Sequence, residues 1–240
     1  MTAFRPLRAA LALGCAAILS ACATSAQMSQ MSNQAWNQVL SEEPVSNDPA
    51  LDQRAQRVAS RIISGAGLQN QNWQVVVFDS DEQNAFALPG GQIGVYRGMM
   101  NLANTDDQLA AVIGHEVGHV VAGHAMERYN QQMGTAVGAQ VVGAALGGQG
   151  FGSAEQISQV FGLGAQVGIL LPYSRGNESE ADLLGIDYMV RAGYDPRAAV
   201  TLWEKMAAQG GSRGPAFLST HPDPRARAQE IEGYIAQRGY

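Results

Sequence analysis

Two histidines and a glutamate that lie close together in the sequence could bind a metal ion and use it. They form the segment His115-Glu116-Val117-Gly118-His119. On a helix, residues i and i+4 share one face, so His115 and His119 can direct two imidazoles at one ion. Glu116 follows the first of them, where its carboxylate could take a proton from bound water. The alternative is a surface histidine pair beside a salt-bridged glutamate, and the apolar residues around the segment argue against it.

A catalytic zinc site needs a third protein ligand, and two regions offer one. His124 follows His119 by five residues, which rotates it by about 140° around a helix. A three-histidine motif would need its third histidine at position 125, which is alanine. We therefore expect His124 to have a structural role or to support a ligand.

The acidic cluster near residue 180 is the better source of the third ligand. Glu178 and Asp182 are four residues apart, so both can face the same site. Glu178 could bind zinc while Asp182 accepts the second ring N–H of His115 and fixes its orientation. Glu180 is expected to point elsewhere. The alternative for the whole cluster is a solvated helix start.

The elements that must position these residues are mainly helical. Thr105 and the acids after it predict the start of a helix that carries the histidines to about Tyr129. A strand is expected over 73–78 and a hairpin with a glycine turn over 85–96. Further helices are expected from Pro49 to about residue 64 and over 175–192, 196–209 and 222–237. The sequence thus predicts an α+β fold, mainly helical, with a small sheet flanking the metal-binding helix.

Four segments in this order resemble the M48 family of zinc metallopeptidases: residues 84–91, 115–119, 174–182 and 219–222. The resemblance covers residues 50–240 and is greatest to short bacterial outer-membrane lipoproteins that lack a tetratricopeptide domain. It implies a zincin-like fold, endopeptidase activity and one Zn²⁺ per chain. It also implies that His115, His119 and Glu178 are the ligands and that Glu116 is the general base.

Two residues near the C-terminus are candidates for a further catalytic role. His221 and Arg227 could hold the oxyanion that forms when water attacks a peptide carbonyl. Arg227 could instead form a surface salt bridge. His221 could also occupy the open zinc position as a self-inhibiting switch, or bind the backbone of its own loop. Resemblance to the repeat-bearing branch of the family makes such a switch plausible, and we favour it slightly over the oxyanion role.

The N-terminal residues are typical of an export signal. Residues 1–21 combine two arginines with a short apolar run, and Leu19-Ser20-Ala21-Cys22 resembles a lipobox with Cys22 as the lipidated residue. An ordinary signal peptide is the alternative. Residues 22–48 are expected to form a tether without firm periodicity, and residues 49–240 the peptidase domain. Because no aspartate follows Cys22, resemblance to lipoprotein sorting favours the outer membrane, facing the periplasm.

The amino-acid composition limits the classes of partner that the chain can bind. The hydrophobic share of 46% excludes a disordered chain, and 15 basic against 21 acidic residues argue against nucleic-acid binding. Removing residues 1–21 takes away two arginines, which leaves 13 basic residues and a formal charge of −8. A lipid anchor would therefore hold an acidic body at the membrane, and no cysteine would remain for a disulfide.

The hairpin could bind substrate by adding an extended peptide to its edge. We therefore expect unfolded or misassembled envelope polypeptides as substrates, with Phe86 and Tyr96 either setting a mild preference or serving only as core. The alternatives are an envelope chaperone-like factor with suppressed hydrolysis and a purely structural lipoprotein. Residues 130–170 could form a lid, and 134–152 a small-residue helix, a mobile loop or a membrane span.

Overall fold

The computed structural model describes residues 24–145, 172–209 and 215–240. The predicted signal peptide and Cys22 lie outside these residues, as does most of the predicted lid. The described chain is a mainly helical α+β domain, as the sequence predicts. Its elements are α1 (Ser25–Glu42), α2 (Pro49–Gly65), β1 (Gln74–Phe78), β2 (Ala85–Ala87), β3 (Gln92–Tyr96), α3 (Arg97–Leu102), α4 (Asp106–Ala122), α5 (His124–Ala145), α6 (Arg175–Arg191), α7 (Arg197–Ala208), α8 (Phe217–Thr220) and α9 (Pro224–Arg238).

The three strands form one small sheet in the order β1-β3-β2. β1 runs parallel to β3, with Val76 opposite Gly94, and β2 runs antiparallel to β3, with Phe86 also opposite Gly94. Gly91 makes the turn of the hairpin at a φ of 89°, a conformation that favours glycine. The predicted strand and hairpin are therefore confirmed, and β2 lies at an edge of the sheet.

The segment expected to be a tether without regular structure contains helix α1. Thr24 caps it in a reciprocal capping box with Gln27. Met28, Ala35 and Trp36 are buried, and Trp36 packs edge-on against the rings of two sheet residues. Helical spacing is hard to see in the sequence because glutamine, serine and asparagine separate these few apolar residues. The domain boundary at residue 49 remains a prediction.

Helix α4 begins where the sequence predicts and ends earlier than expected. Thr105 is its N-cap and accepts a hydrogen bond from the backbone N–H of Gln108. Gly123 then takes a left-handed conformation with φ of 72°, which stops the helix after Ala122. The expected continuation to about Tyr129 is wrong, because His124 starts a new helix, α5.

The described residues form two apolar clusters. The larger one lies among helices α2, α4, α6, α7 and α9 and the inner side of the sheet. The smaller one is formed by α1 and the sheet: Ala35, Trp36, Phe78, Phe86, Leu88 and Tyr96. Phe86 and Tyr96 are thus buried core residues, which supports the second of the two roles weighed for them. Helices α6, α7 and α9 lie within two residues of their predicted positions.

Candidate active site

Helix α4 presents His115 and His119 on one buried face. Their exposed fractions are 1% and 2%, and their Nε2 atoms lie 3.0 Å apart. Burial lowers the pKa of His115 well below its ordinary value and that of His119 to about 3. Both imidazoles are therefore neutral at physiological pH, the form in which a ring nitrogen can bind a metal.

Helix α6 brings Glu178 to these histidines. Glu178 Oε1 lies 3.3 Å from His119 Nε2, and Oε2 lies 3.6 Å from His115 Nε2. Burial raises the pKa of Glu178, but hydrogen bonds from His119 and His221 outweigh burial and lower it. The group is therefore a carboxylate that can bind a cation.

Glycines allow α4 and α6 to approach closely enough for this. A Cβ added at Gly118 would lie 2.6 Å from the carbonyl oxygen of Ala181. One added at Gly185 would lie 2.9 Å from the backbone nitrogen of His115. The distance between Glu178 and the two histidines thus depends on the absence of side chains at this helix contact.

His221 completes the cluster from the loop between α8 and α9. Its Nδ1 lies 3.0 Å from Glu178 Oε1 and 3.1 Å from His115 Nε2. Its ring stacks on Phe217, with centroids 4.2 Å apart. One ligand atom from each of the four residues lies within 4.8 Å of the others. Three imidazoles and a carboxylate are a donor set that zinc binds, so the residues fit this metal.

Glu116 lies beside the cluster with a side chain that is almost completely buried. Its Oε2 accepts a hydrogen bond of 3.0 Å from the backbone N–H of Ala87 in β2, and its Oε1 lies 3.4 Å from His221 Nε2. Burial raises its pKa to about 7. A general base is most effective when its pKa lies near the working pH.

Asp182 and Arg227 contact the candidate ligands His115 and Glu178. Asp182 Oδ1 lies 3.0 Å from His115 Nδ1, and Arg227 Nη2 lies 3.0 Å from the same nitrogen, so the orienting role of Asp182 stays a prediction. Arg227 donates from Nε to Asp182 at 2.7 Å, and its Nη1 lies 2.6 Å from Glu178 Oε2. It is buried and lies 3.6 Å over the ring of Trp203. The alternative of a surface salt bridge does not describe this position, and an oxyanion contact stays a prediction.

His124 supports the other histidine. Its Nδ1 lies 2.9 Å from His119 Nδ1, and its Nε2 lies 3.4 Å from Glu180 Oε2. His119 directs Nε2 at the cluster, so binding a metal there would leave its proton on Nδ1, from which it can donate to His124. The side chain of Glu180 is 61% exposed, which is the outward position expected for it.

Two contacts of the site have no clear signal in the sequence. Tyr173 stacks on the ring of His119 with centroids 3.9 Å apart. The backbone N–H of Ala87 holds Glu116, as described above. Tyr173 immediately precedes the predicted 174–182 segment, and Ala87 lies in the predicted hairpin. Only the packing of these segments against α4 shows which of their atoms reach the site.

A helix with a His-Glu-x-x-His segment, joined by a glutamate from a second helix, defines a metallopeptidase site of zincin type. The profile of peptidase family M48 matches residues 49–235, and the chain belongs to this family. Members of the family are zinc metallopeptidases, so the predicted family, fold and cofactor are confirmed.

Curated relatives come from bacteria and mitochondria. The chain is 37% identical over 183 residues to mitochondrial metalloendopeptidase OMA1 of Schizosaccharomyces pombe, covering 75% of this chain and 52% of that protein. It is 31% identical over 220 residues to the β-barrel assembly-enhancing protease of Escherichia coli K12, covering 88% and 44%. It is 34% identical over 219 residues to metalloprotease LoiP of the same organism, covering 90% and 83%. The chain spans about half the length of the first two.

Proposed function

We propose that the chain is a zinc-dependent endopeptidase that hydrolyses unfolded or misassembled cell-envelope polypeptides. The observation that carries the proposal is the buried cluster of His115, His119 and Glu178 with Glu116 beside it. Three protein ligands are the number typical of catalytic zinc sites, which keep a fourth position for water. Family membership and three relatives named as proteases support the same activity.

Glu116 would perform the proton transfers. His115, His119 and Glu178 would hold a zinc ion, which would supply Lewis acidity and lower the pKa of bound water. Ala87 fixes Glu116 Oε2, which leaves Oε1 to take the proton of the attacking water and to pass it to the leaving nitrogen. Asp182 would keep the ring of His115 in its ligating orientation.

The edge of β2 would bind the substrate backbone. The carbonyl oxygen of Asn84 and the N–H of Leu88 form hydrogen bonds with β3. Because alternate residues of an antiparallel strand make these bonds, the backbone polar groups of Ala85 and Ala87 point away from β3. The N–H of Ala87 reaches Glu116, which shows that this edge faces the site. Adding a strand there requires an extended peptide, which favours unfolded substrates.

The cellular setting is part of the proposal. We place the chain at the outer membrane, facing the periplasm, as a lipoprotein anchored at Cys22. The name of the β-barrel assembly-enhancing protease supports misassembled envelope polypeptides as substrates. Among the described residues, none of the helices combines the length and the hydrophobicity that a bilayer span requires. Residues 146–152 of the span considered from the sequence lie outside the described part.

A chaperone-like binding factor is the second candidate function. The position of His221 favours it, because an imidazole within the donor cluster could occupy the position that water needs. Such a chain would bind extended polypeptides at β2 while its hydrolysis stayed suppressed.

Substituting Glu116→Gln tests the endopeptidase proposal. The amide side chain would leave the ligands intact but could not accept a proton, so we expect zinc content to be kept and cleavage of a denatured protein to fall at least about a hundredfold. The control is Glu180→Gln, which changes an exposed carboxylate nearby and should leave both quantities unchanged. A fall below about tenfold with full zinc content would remove Glu116 as the base. Chelator-resistant cleavage would contradict zinc dependence.

A further inference from the structure

A cavity of about 160 Å³ opens beside the candidate zinc ligands. His119 forms part of its wall, and so does Ala87, whose N–H holds Glu116. The cavity therefore borders the site, and a group placed in it would contact a candidate zinc ligand and the edge that would bind the substrate backbone.

The lining of the cavity is mostly apolar. Among the described residues, no aspartate, glutamate, lysine or arginine lines it. Besides His119, the lining includes Met28, Pro89, Val120, Met126 and the ring of Tyr173, while Ser25 and Ser29 add two hydroxyl groups. A charged group placed here would lose its hydration and would meet no aspartate, glutamate, lysine or arginine among the described lining residues. The volume matches that of a cavity which takes one benzene-sized group.

Helix α1 supplies one wall of this cavity through Ser25, Met28 and Ser29. These residues precede the part of the chain matched by the M48 profile, which begins at residue 49. The helix is fixed in place by Trp36 in the smaller apolar cluster and by a hydrogen bond from Gly90 N to Ser32 Oγ. The wall that α1 forms is thus a built part of the domain.

We propose that this cavity binds one aliphatic or aromatic side chain of the substrate next to the cleaved bond, and that α1 sets its size. The inference rests on the proposed function, because a peptide held at β2 would place a neighbouring side chain over the cavity. Both Met28 and Ser29 line the cavity, and Met28 is buried whereas Ser29 is exposed. Specificity would then depend on a segment outside the M48 match.

Peptide binding tests the inference without requiring hydrolysis. The full chain carrying Glu116→Gln, loaded with zinc, is titrated into fluorescein-labelled decapeptides of glycine and serine with one central Leu, Phe, Ala or Gln. We expect Leu and Phe to bind about tenfold or more tightly than Ala and Gln, since an apolar pocket discriminates on this scale. Ser29→Phe should remove this preference. The matched control Gln30→Phe places the same ring on the neighbouring exposed residue, which does not line the cavity, and should keep it.

Cleavage-site mapping of a denatured protein by mass spectrometry provides the second readout. Apolar residues should be enriched beside the bond cleaved by the unsubstituted chain, and Ser29→Phe should shift the preference to Ala and Gly. Equal affinity for Leu and Gln peptides, no binding of any of them, or equal effects of Ser29→Phe and Gln30→Phe would overturn the inference. A chain that prefers Leu peptides but cleaves nothing would overturn the proposed function and leave the pocket assignment standing.

Discussion

At the scale of single residues, His221 holds the position on which activity would depend. Its Nδ1 faces the ligands His115 and Glu178, while its Nε2 faces the candidate base Glu116. One ring could therefore exclude water from the metal and contact the proton acceptor at the same time. This geometry supports the switch over the oxyanion contact, because a ring that lies among the candidate ligands would exclude water from a metal bound there.

Substituting His221→Ala should raise the initial rate of cleavage of an unfolded polypeptide while zinc stays bound. If the closed state dominates, freeing the position increases the fraction of competent chains, and the rise would be several-fold to about tenfold. Zinc content and initial rate on the same preparation check this. A fall in rate with unchanged zinc would instead assign His221 to the oxyanion, where losses of about 10²–10³-fold are typical.

The hydrogen bond between His119 and His124 should increase the affinity of the site for zinc. His124→Leu removes the acceptor for the ring N–H of His119, so we expect the zinc dissociation constant to rise about 10–100-fold. His124→Asn places an amide oxygen close to the position of Nδ1 and should recover most of the affinity. Competition with a chelator measures both. Equal losses in the two variants would mean that His124 serves packing alone, and Glu180→Gln should change little.

At the scale of elements, the contact between α4 and α6 sets the geometry of the metal site. Its glycines bring two backbones together where any side chain would separate them. We expect Gly118→Ala to lower the free energy of unfolding by about 1–3 kcal/mol through overpacking and also to weaken zinc binding, because the ligands lie on the two helices that must part.

Gly233→Ala is the matched control for that substitution. Gly233 lies exposed in α9, and a Cβ added there would meet nothing within 4 Å. The same change should therefore stabilise the chain by about 0.5–1 kcal/mol through helix propensity and leave zinc affinity unchanged. Denaturant unfolding and zinc titration of both variants are the measurements. A stable Gly118→Ala variant with unaltered zinc affinity would show that α4 and α6 can separate without cost.

The elements also show which parts of this domain can be predicted from sequence. The positions of His115 and His119 on one helix face follow from local spacing, and the hairpin follows from its glycines. Helix α1 was not predicted, because its few buried apolar residues are separated by glutamine, serine and asparagine. The pairing of Arg227 with Asp182 joins residues 45 positions apart, and only the packing of α9 against α6 brings them together.

At the scale of the whole molecule, the proposed lipid anchor and the proposed substrate cavity lie close together along the chain. Helix α1 begins at Ser25, three residues after Cys22, and its first turns line the cavity. Three residues span at most about 11 Å. Acyl chains on Cys22 would therefore hold this side of the domain near the membrane surface, where misassembled envelope proteins would expose extended segments.

Cys22→Ser should separate location from catalysis. Without its first 21 residues the chain carries a formal charge of −8, so no polybasic patch would hold it to anionic lipids, and attachment should depend on the acyl chains. We expect the variant to move from the membrane fraction to the soluble fraction after cell breakage, while its cleavage of short apolar peptides stays the same. Cleavage of membrane-inserted substrates should fall, because the anchor no longer concentrates the enzyme there. If the variant stayed with the membrane, the attachment would lie elsewhere in the chain, and residues 134–152 would be the first segment to delete.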